Sequence, residues 1–260
     1  MTPLSQRLTR LRWALAAAGS AYCALATEAA RAAPLAILER DRGVYARASA
    51  GAVGDYQETI AADEAPGSAH FAANVQALAE TATSRATATA AHASQLGAEA
   101  LQAYGSVRVT GSAESGDAEA PADSFFEVAF EAGGDDEFVL LGAVRALVTG
   151  GPGDGHASVM LVDDATGLPL VSERAAPGQQ GSFHESGSLV AGARYRLRGV
   201  ALARTDWGAL PPYTTGVAAF QLVIAVPEPG EPLLFASGIG GLALLAALRA
   251  GSGRARELRP

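Results

Sequence analysis

The sequence predicts an all-β protein with a single β-sandwich or jelly-roll-like domain, and three observations carry that reading. Apolar and polar residues alternate with a period of two along most of the chain, and helical periodicity is hard to find beyond the first thirty or so residues. Short alternating runs recur at similar spacing, separated by Gly, Asp and Pro clusters that favour turns. The apolar residues available for a core are Val, Leu and Phe with much Ala, small enough to fill tight gaps between two sheets.

Residues 44–50 form the first predicted strand, and an acidic break at Asp63, Glu64, Ala65, Pro66 and Gly67 follows. Residues 70–80 put Phe71, Ala73, Val75, Ala77 and Ala79 on one face. In residues 81–95, Thr81, Thr83, Thr87 and Thr89 alternate with alanines. Alanine favours helix, but the β-branched threonines are stiff and suit a pleat, so a strand is expected. Residues 101–110 read as the next strand, and residues 111–123, rich in Gly, Ser, Ala and acid, as a mobile loop.

Beyond that the alternation strengthens. Phe126, Val128 and Phe130 should point inward and Glu127 and Glu131 outward. Residues 137–148 form another strand, and the Gly-rich residues 150–155 introduce a hairpin with arms at 157–162 and 168–174. Its turn, residues 163–167, ends on Gly167, which is free to take a positive φ. After a turn at Gly192, Ala193, Tyr195 and Leu197 share one face while Arg194, Arg196 and Arg198 share the other. The closing strand is residues 216–226.

Charge excludes one class of partner. Residues 34–226 hold 11 arginines against 23 aspartates and glutamates, a net charge of −12, and the chain has no lysine. Such a surface repels nucleic acid and anionic lipid. The segment is long enough to bury about 70% of its unfolded surface without disulfides, and the sole cysteine, Cys23, lies outside it.

Motifs for chemistry are sparse. His70, His92, His156 and His184 show no metal-ligand spacing, and no cofactor or metal is expected. There is no Gly-x-Ser-x-Gly elbow, no phosphate-binding loop and no N-glycosylation sequon. Asp154, Asp163 and Asp164, with Asp135, Asp136 and Glu137, fall between strands, where carboxylates either hold Ca²⁺ or simply build turns. Paired carboxylates of a hydrolase would have to come from the same set. The stripe of Arg194, Arg196 and Arg198 either binds acidic polysaccharide or pairs with Glu127, Glu131 or Glu137 on neighbouring strands. Trp207 and Tyr213, in a Gly- and Pro-containing loop, are candidate sugar contacts or loop anchors, and Tyr56 is a third aromatic bet.

The two ends read as addresses. Arg7, Arg10 and Arg12 precede an apolar run at residues 13–25, and Ala30-Arg31-Ala32 supplies a small-x-small site, so a signal peptide over residues 1–32 with cleavage after Ala32 is expected. At the other end Val226, Pro227, Glu228 and Pro229 precede 16 uncharged residues, 233–248. As a helix these would reach roughly 24 Å, a mismatch to the bilayer that tilt and arginine snorkelling absorb. Arg249, Arg254, Arg256 and Arg259 follow and would stay on the cytoplasmic side.

This order of Val-Pro-Glu-Pro, apolar span and terminal arginines over residues 227–260 resembles the PEP-CTERM sorting signal of Gram-negative bacteria. The tail departs from a plain basic run in carrying Gly, Ser and Glu257. The resemblance implies recognition by an exosortase in the membrane, removal at or near the Pro-Glu-Pro, and an association with exopolysaccharide or biofilm matrix. The Gly192, Tyr195, Leu197 pattern also looks like the β-sandwich domains found upstream of that signal. The expected protein is therefore a non-enzymatic surface or matrix component of residues 33–226, exported by way of signal peptidase and exosortase. A carbohydrate-binding module acting through Trp207 is the alternative, and a secreted hydrolase a third.

Overall fold

The computed structural model describes residues 35–52, 54–65, 67–205 and 213–226. They form twelve strands and no helix: β1 (Ala36–Ala52), β2 (Asp55–Glu64), β3 (His70–Glu80), β4 (Ser84–Leu96), β5 (Ala100–Ala113), β6 (Asp117–Glu131), β7 (Glu137–Thr149), β8 (Gly153–Asp163), β9 (Pro169–Ala175), β10 (Gln180–Ser188), β11 (Arg194–Thr205) and β12 (Thr214–Ala225). All pairings are antiparallel. The first sheet runs β2-β1-β6-β11-β8-β9 and the second β10-β7-β12-β5-β4-β3. The sheets face each other, with β1 over β3 and β4, β6 over β4 and β5, and β11 over β5 and β12.

The alternation read from the sequence is what separates inside from outside. In β4, Ala86, Ala88 and Ala90 are buried while Thr87 and Thr89 stay partly exposed. Threonine's branched side chain thus stiffens the outer face, and alanine lets the opposite sheet approach. In β6, Phe126, Val128 and Phe130 are buried and Glu127 and Glu131 turn outward. The middle of the sandwich is filled by Phe220, whose ring lies where a Cβ at Gly105 or Gly199 would collide with it. Gly167 takes φ 69°, closing the β8–β9 turn in the left-handed region.

Three features differ from the sequence reading. Residues 117–123 are strand, not mobile loop, with Ala118, Ala120 and Ala122 buried between the sheets. Their alternation outweighs the loop-like composition. Pro121, lacking a donor, sits where the β1–β6 ladder lapses between Ala46↔Ala122 and Ser49↔Glu119. The second and third are β2 and β10, strands at sheet edges that the sequence reading passes over. These two are exposed on nearly every residue of both faces, so they carry little alternation. β2 nonetheless has work in the fold: Thr59 Oγ1 donates to Leu78 O at 2.8 Å and Gln57 Oε1 accepts from Glu80 N at 3.3 Å, capping the open edge of β3.

Candidate functional site

Both ends of the domain meet at one turn. Leu35 N donates to Ala98 O at 2.7 Å, and Val226 N donates to Glu99 O at 3.2 Å. Val226 is buried, 4% exposed, continuing the inner face of β12. The first residue of the Val-Pro-Glu-Pro motif is thus part of the sandwich core. Pro227, Glu228 and Pro229, the arginines Arg249, Arg254, Arg256 and Arg259, and Ala30 and Ala32 of the expected signal peptide lie outside the described residues, as does Trp207.

The outer face of the first sheet is an ion-pair ladder. Register places Arg194 opposite Glu131 and Arg198 opposite Glu127. Arg196 Nη1 reaches Glu127 Oε1 at 2.6 Å, Arg196 Nε reaches Asp164 Oδ1 at 3.0 Å, and Arg198 Nε reaches Glu127 Oε2 at 2.7 Å. Partial burial alone would push the Glu127 carboxyl up, but hydrogen bonds from Arg198 and Arg196 outweigh it and hold Glu127 below the usual carboxylate range. Asp164 is held down in the same way by Arg196, whose own pKa is raised by Asp164 and Glu127. Of the two readings of this stripe, pairing with neighbouring acids is the one the geometry bears out. Glu137 takes no part, being on β7 of the other sheet.

The inter-strand acids build turns. Asp163 Oδ1 accepts from Ala165 N and Thr166 N, at 2.8 and 3.2 Å. Asp135 Oδ1 accepts from Ala191 N at 2.8 Å, and Asp154 Oδ1 from Gly155 N at 2.7 Å. Among the described residues no three His, Cys, Asp or Glu side chains converge as metal ligands.

Between the sheets lies a polar cluster that sequence reasoning missed. Arg42 is wholly buried. Its Nη1 donates to Ser94 Oγ at 3.0 Å, its Nη2 donates to Ala65 O at 3.1 Å and to Ser68 O, and its guanidinium lies 5.9 Å from the Phe71 ring centre. His92, 2% exposed, places Nδ1 3.2 Å from Ser124 Oγ, and its Nε2 has no partner among the described residues. Burial, then the Arg42 charge, depresses His92 from 6.5 to about 4, so the ring is neutral near pH 7. Parity signals both residues: Arg42 shares its face with Val44, Ala46 and Ala48, and His92 with Ala86, Ala88 and Ala90.

The outer face of the second sheet is of another kind. Gln95 lies opposite Gln102, and Tyr104 opposite Gln221, on adjacent strands. With His70, Ala72 and Ala93 they line a shallow groove of about 430 Å³, and Tyr104 is 44% exposed. The amides of Gln95, Gln102 and Gln221 make no hydrogen bond to any described residue. Toward the far end of this face Tyr213 is 51% exposed, its hydroxyl held below the usual phenol range by Thr215 and then Arg108. Tyr56 lies apart from both, exposed on edge strand β2.

No protein-family model matches the chain, and no curated protein does. Among solved structures it is similar to the enzymatically active domain of tailspike protein 4 from bacteriophage CBA120, at 13% identity over 46% of this chain and 15% of that one, with a TM-score of 0.21. A structure of infectious bursal disease virus, Gx strain, matches at 9% identity over 84% of this chain and 75% of that one, with a TM-score of 0.18. The chain therefore spans about a seventh of the tailspike domain's length. Both likenesses are too slight to carry an argument about function.

Proposed function

We propose that this protein is an exported surface or matrix component, processed at both ends and associated with exopolysaccharide. Signal peptidase removes residues 1–32, an exosortase acts on the signal in residues 227–260, and the sandwich is the mature product. The observation that carries the reading is the shared turn of Leu35 and Val226, which brings both ends to one pole of the sandwich. A domain so arranged hangs from the membrane by a single end, with its bulk and both outer faces turned away. Burial of Val226 supports it further, because the sandwich core reaches the residue directly before the Pro-Glu-Pro. A protease acting at or after Pro227 would cut beyond every described core residue.

Intact-mass measurement of the secreted form from its native host tests this. The expected mass lacks residues 1–32 and ends near the Pro-Glu-Pro. A secreted mass that still includes residues 233–260 would reduce the C-terminal segment to a plain anchor.

A further inference from the structure

We propose that the outer face of the second sheet binds a neutral polysaccharide strand, seated in the groove of Tyr104, Gln95, Gln102 and Gln221. The inference rests on the reading above, which sets the domain among exopolysaccharide, and it assigns the contact to a face instead of a loop. A sugar ring presents an apolar C–H face and a rim of hydroxyls, each both donor and acceptor. Tyr104 offers a half-exposed ring for the first. Each glutamine amide offers two donors and an acceptor for the second, and the amides of Gln95, Gln102 and Gln221 are unengaged among the described residues.

Position is fixed by the ladder. Gln95↔Gln102 and Tyr104↔Gln221 are direct cross-strand neighbours, so these groups stand about 4.8 Å apart on a rigid surface. A site on strands keeps its geometry before the ligand arrives. The groove is shallow and open to solvent, and so suits a chain lying over it better than an enclosed small molecule.

Charge selects the neutral class. Residues 34–226 carry a net −12, yet the cross-strand rows from His70–Gln95–Gln102–Val223 to Leu78–Thr87–Thr110–Thr215 contain no carboxylate. The acids lie elsewhere, among them Glu39, Glu58, Glu119, Glu127, Glu131 and Asp164, which pair with arginines of the first sheet. An acidic polysaccharide would meet the repulsion of the whole domain, offset in these rows by Arg108 alone, whereas a neutral one meets donors, acceptors and a ring without that repulsion.

Affinity electrophoresis of the full secreted protein in native gels containing dextran, a mixed-linkage β-glucan or alginate tests the proposal. Retardation by a neutral glucan and none by alginate is expected. Tyr104→Ala and the pair Gln102→Ala/Gln221→Ala should each weaken it at least tenfold, while Arg174→Ala on the first sheet leaves it unchanged. Gln102→Glu, which keeps the shape and adds a charge, should weaken it comparably and guards against misfolding of the alanine variants. No retardation by either glucan, retardation by alginate alone, or glucan retardation that survives Tyr104→Ala would overturn the proposal. So would loss on Trp207→Ala with Tyr104→Ala unaffected, which moves the contact to residues 206–212. Trimmed masses without glucan binding remove the groove and leave the export reading intact. Glucan binding by a protein untrimmed at both ends does the reverse.

Discussion

Leu35 and Val226 donate their backbone amides to neighbouring carbonyls, Ala98 and Glu99, of the single turn between β4 and β5. One short turn therefore pins both ends of the sandwich, and Val226, the first residue of the Val-Pro-Glu-Pro stretch, belongs to the fold. Val226→Ala should lower unfolding free energy by about 1–2 kcal/mol, the scale of losing a buried side chain of this size. It should leave the proposed removal of the tail unaffected. Chemical denaturation together with intact mass checks both halves, and an unprocessed but fully stable variant would contradict the division.

Acid sensitivity should centre on His92. The unfolded chain takes up a proton near 6.5, whereas the native ring resists until about 4. Between those values the unfolded state holds more protons, so stability rises with pH across the window and falls as pH drops through it. The full difference is roughly 3 kcal/mol. His92→Leu should flatten that part of the profile. Urea midpoints at pH 7 and pH 4.5 for the two proteins measure it, and equal drops in both would place the sensitivity elsewhere.

Arg42 offers a sharper contrast. Its partners are the buried Ser94 Oγ and the more exposed carbonyls of Ala65 and Ser68, all uncharged. Removing the cation therefore strands no carboxylate among these partners, which is the usual source of the largest losses. Arg42→Ala should cost about 2–4 kcal/mol through the cavity and the orphaned acceptors. Arg42→Met, which refills much of the volume, should cost less. The Met variant should also raise the His92 pKa partway toward its ordinary value, since the Arg42 charge is the second cause of its depression. NMR titration of the His92 ring reads that shift directly.

What the sequence made legible follows from how many neighbours a segment has. β3 and β4 are read correctly from alternation because one face meets the opposite sheet. β6 is half read: Phe126, Val128 and Phe130 announce a core strand, whereas Ala118, Ala120 and Ala122 give too little hydrophobic contrast among acids and glycine. β10 puts only Phe183 into the core, leaving nothing to alternate with. Arg42 and His92 are marked by parity alone, since polar residues on a buried face break the hydrophobic pattern that would otherwise locate them. The groove of the second sheet escaped notice because glutamine and threonine look alike on any outer face. Only the register brings Gln95, Gln102, Gln221 and Tyr104 together across three strands.

Glu127 is the residue on which the first sheet's ladder turns, because Arg196 and Arg198 both close on it. Glu127→Gln keeps the shape and one acceptor but leaves two arginines facing each other across a neutral amide. With its side chain 29% exposed, the net loss at pH 7 should be about 1 kcal/mol, above an ordinary surface pair because two partners share the carboxylate. The native carboxyl is held below its ordinary value. Its contribution is therefore complete above the unfolded carboxylate pKa and disappears as pH falls through the native one. The difference between wild type and Glu127→Gln should shrink toward zero in acid and narrow in high salt. Denaturant midpoints across pH and salt decide it: a gap that persists in acid would mean that Glu127 stabilises the sheet by packing instead of by charge.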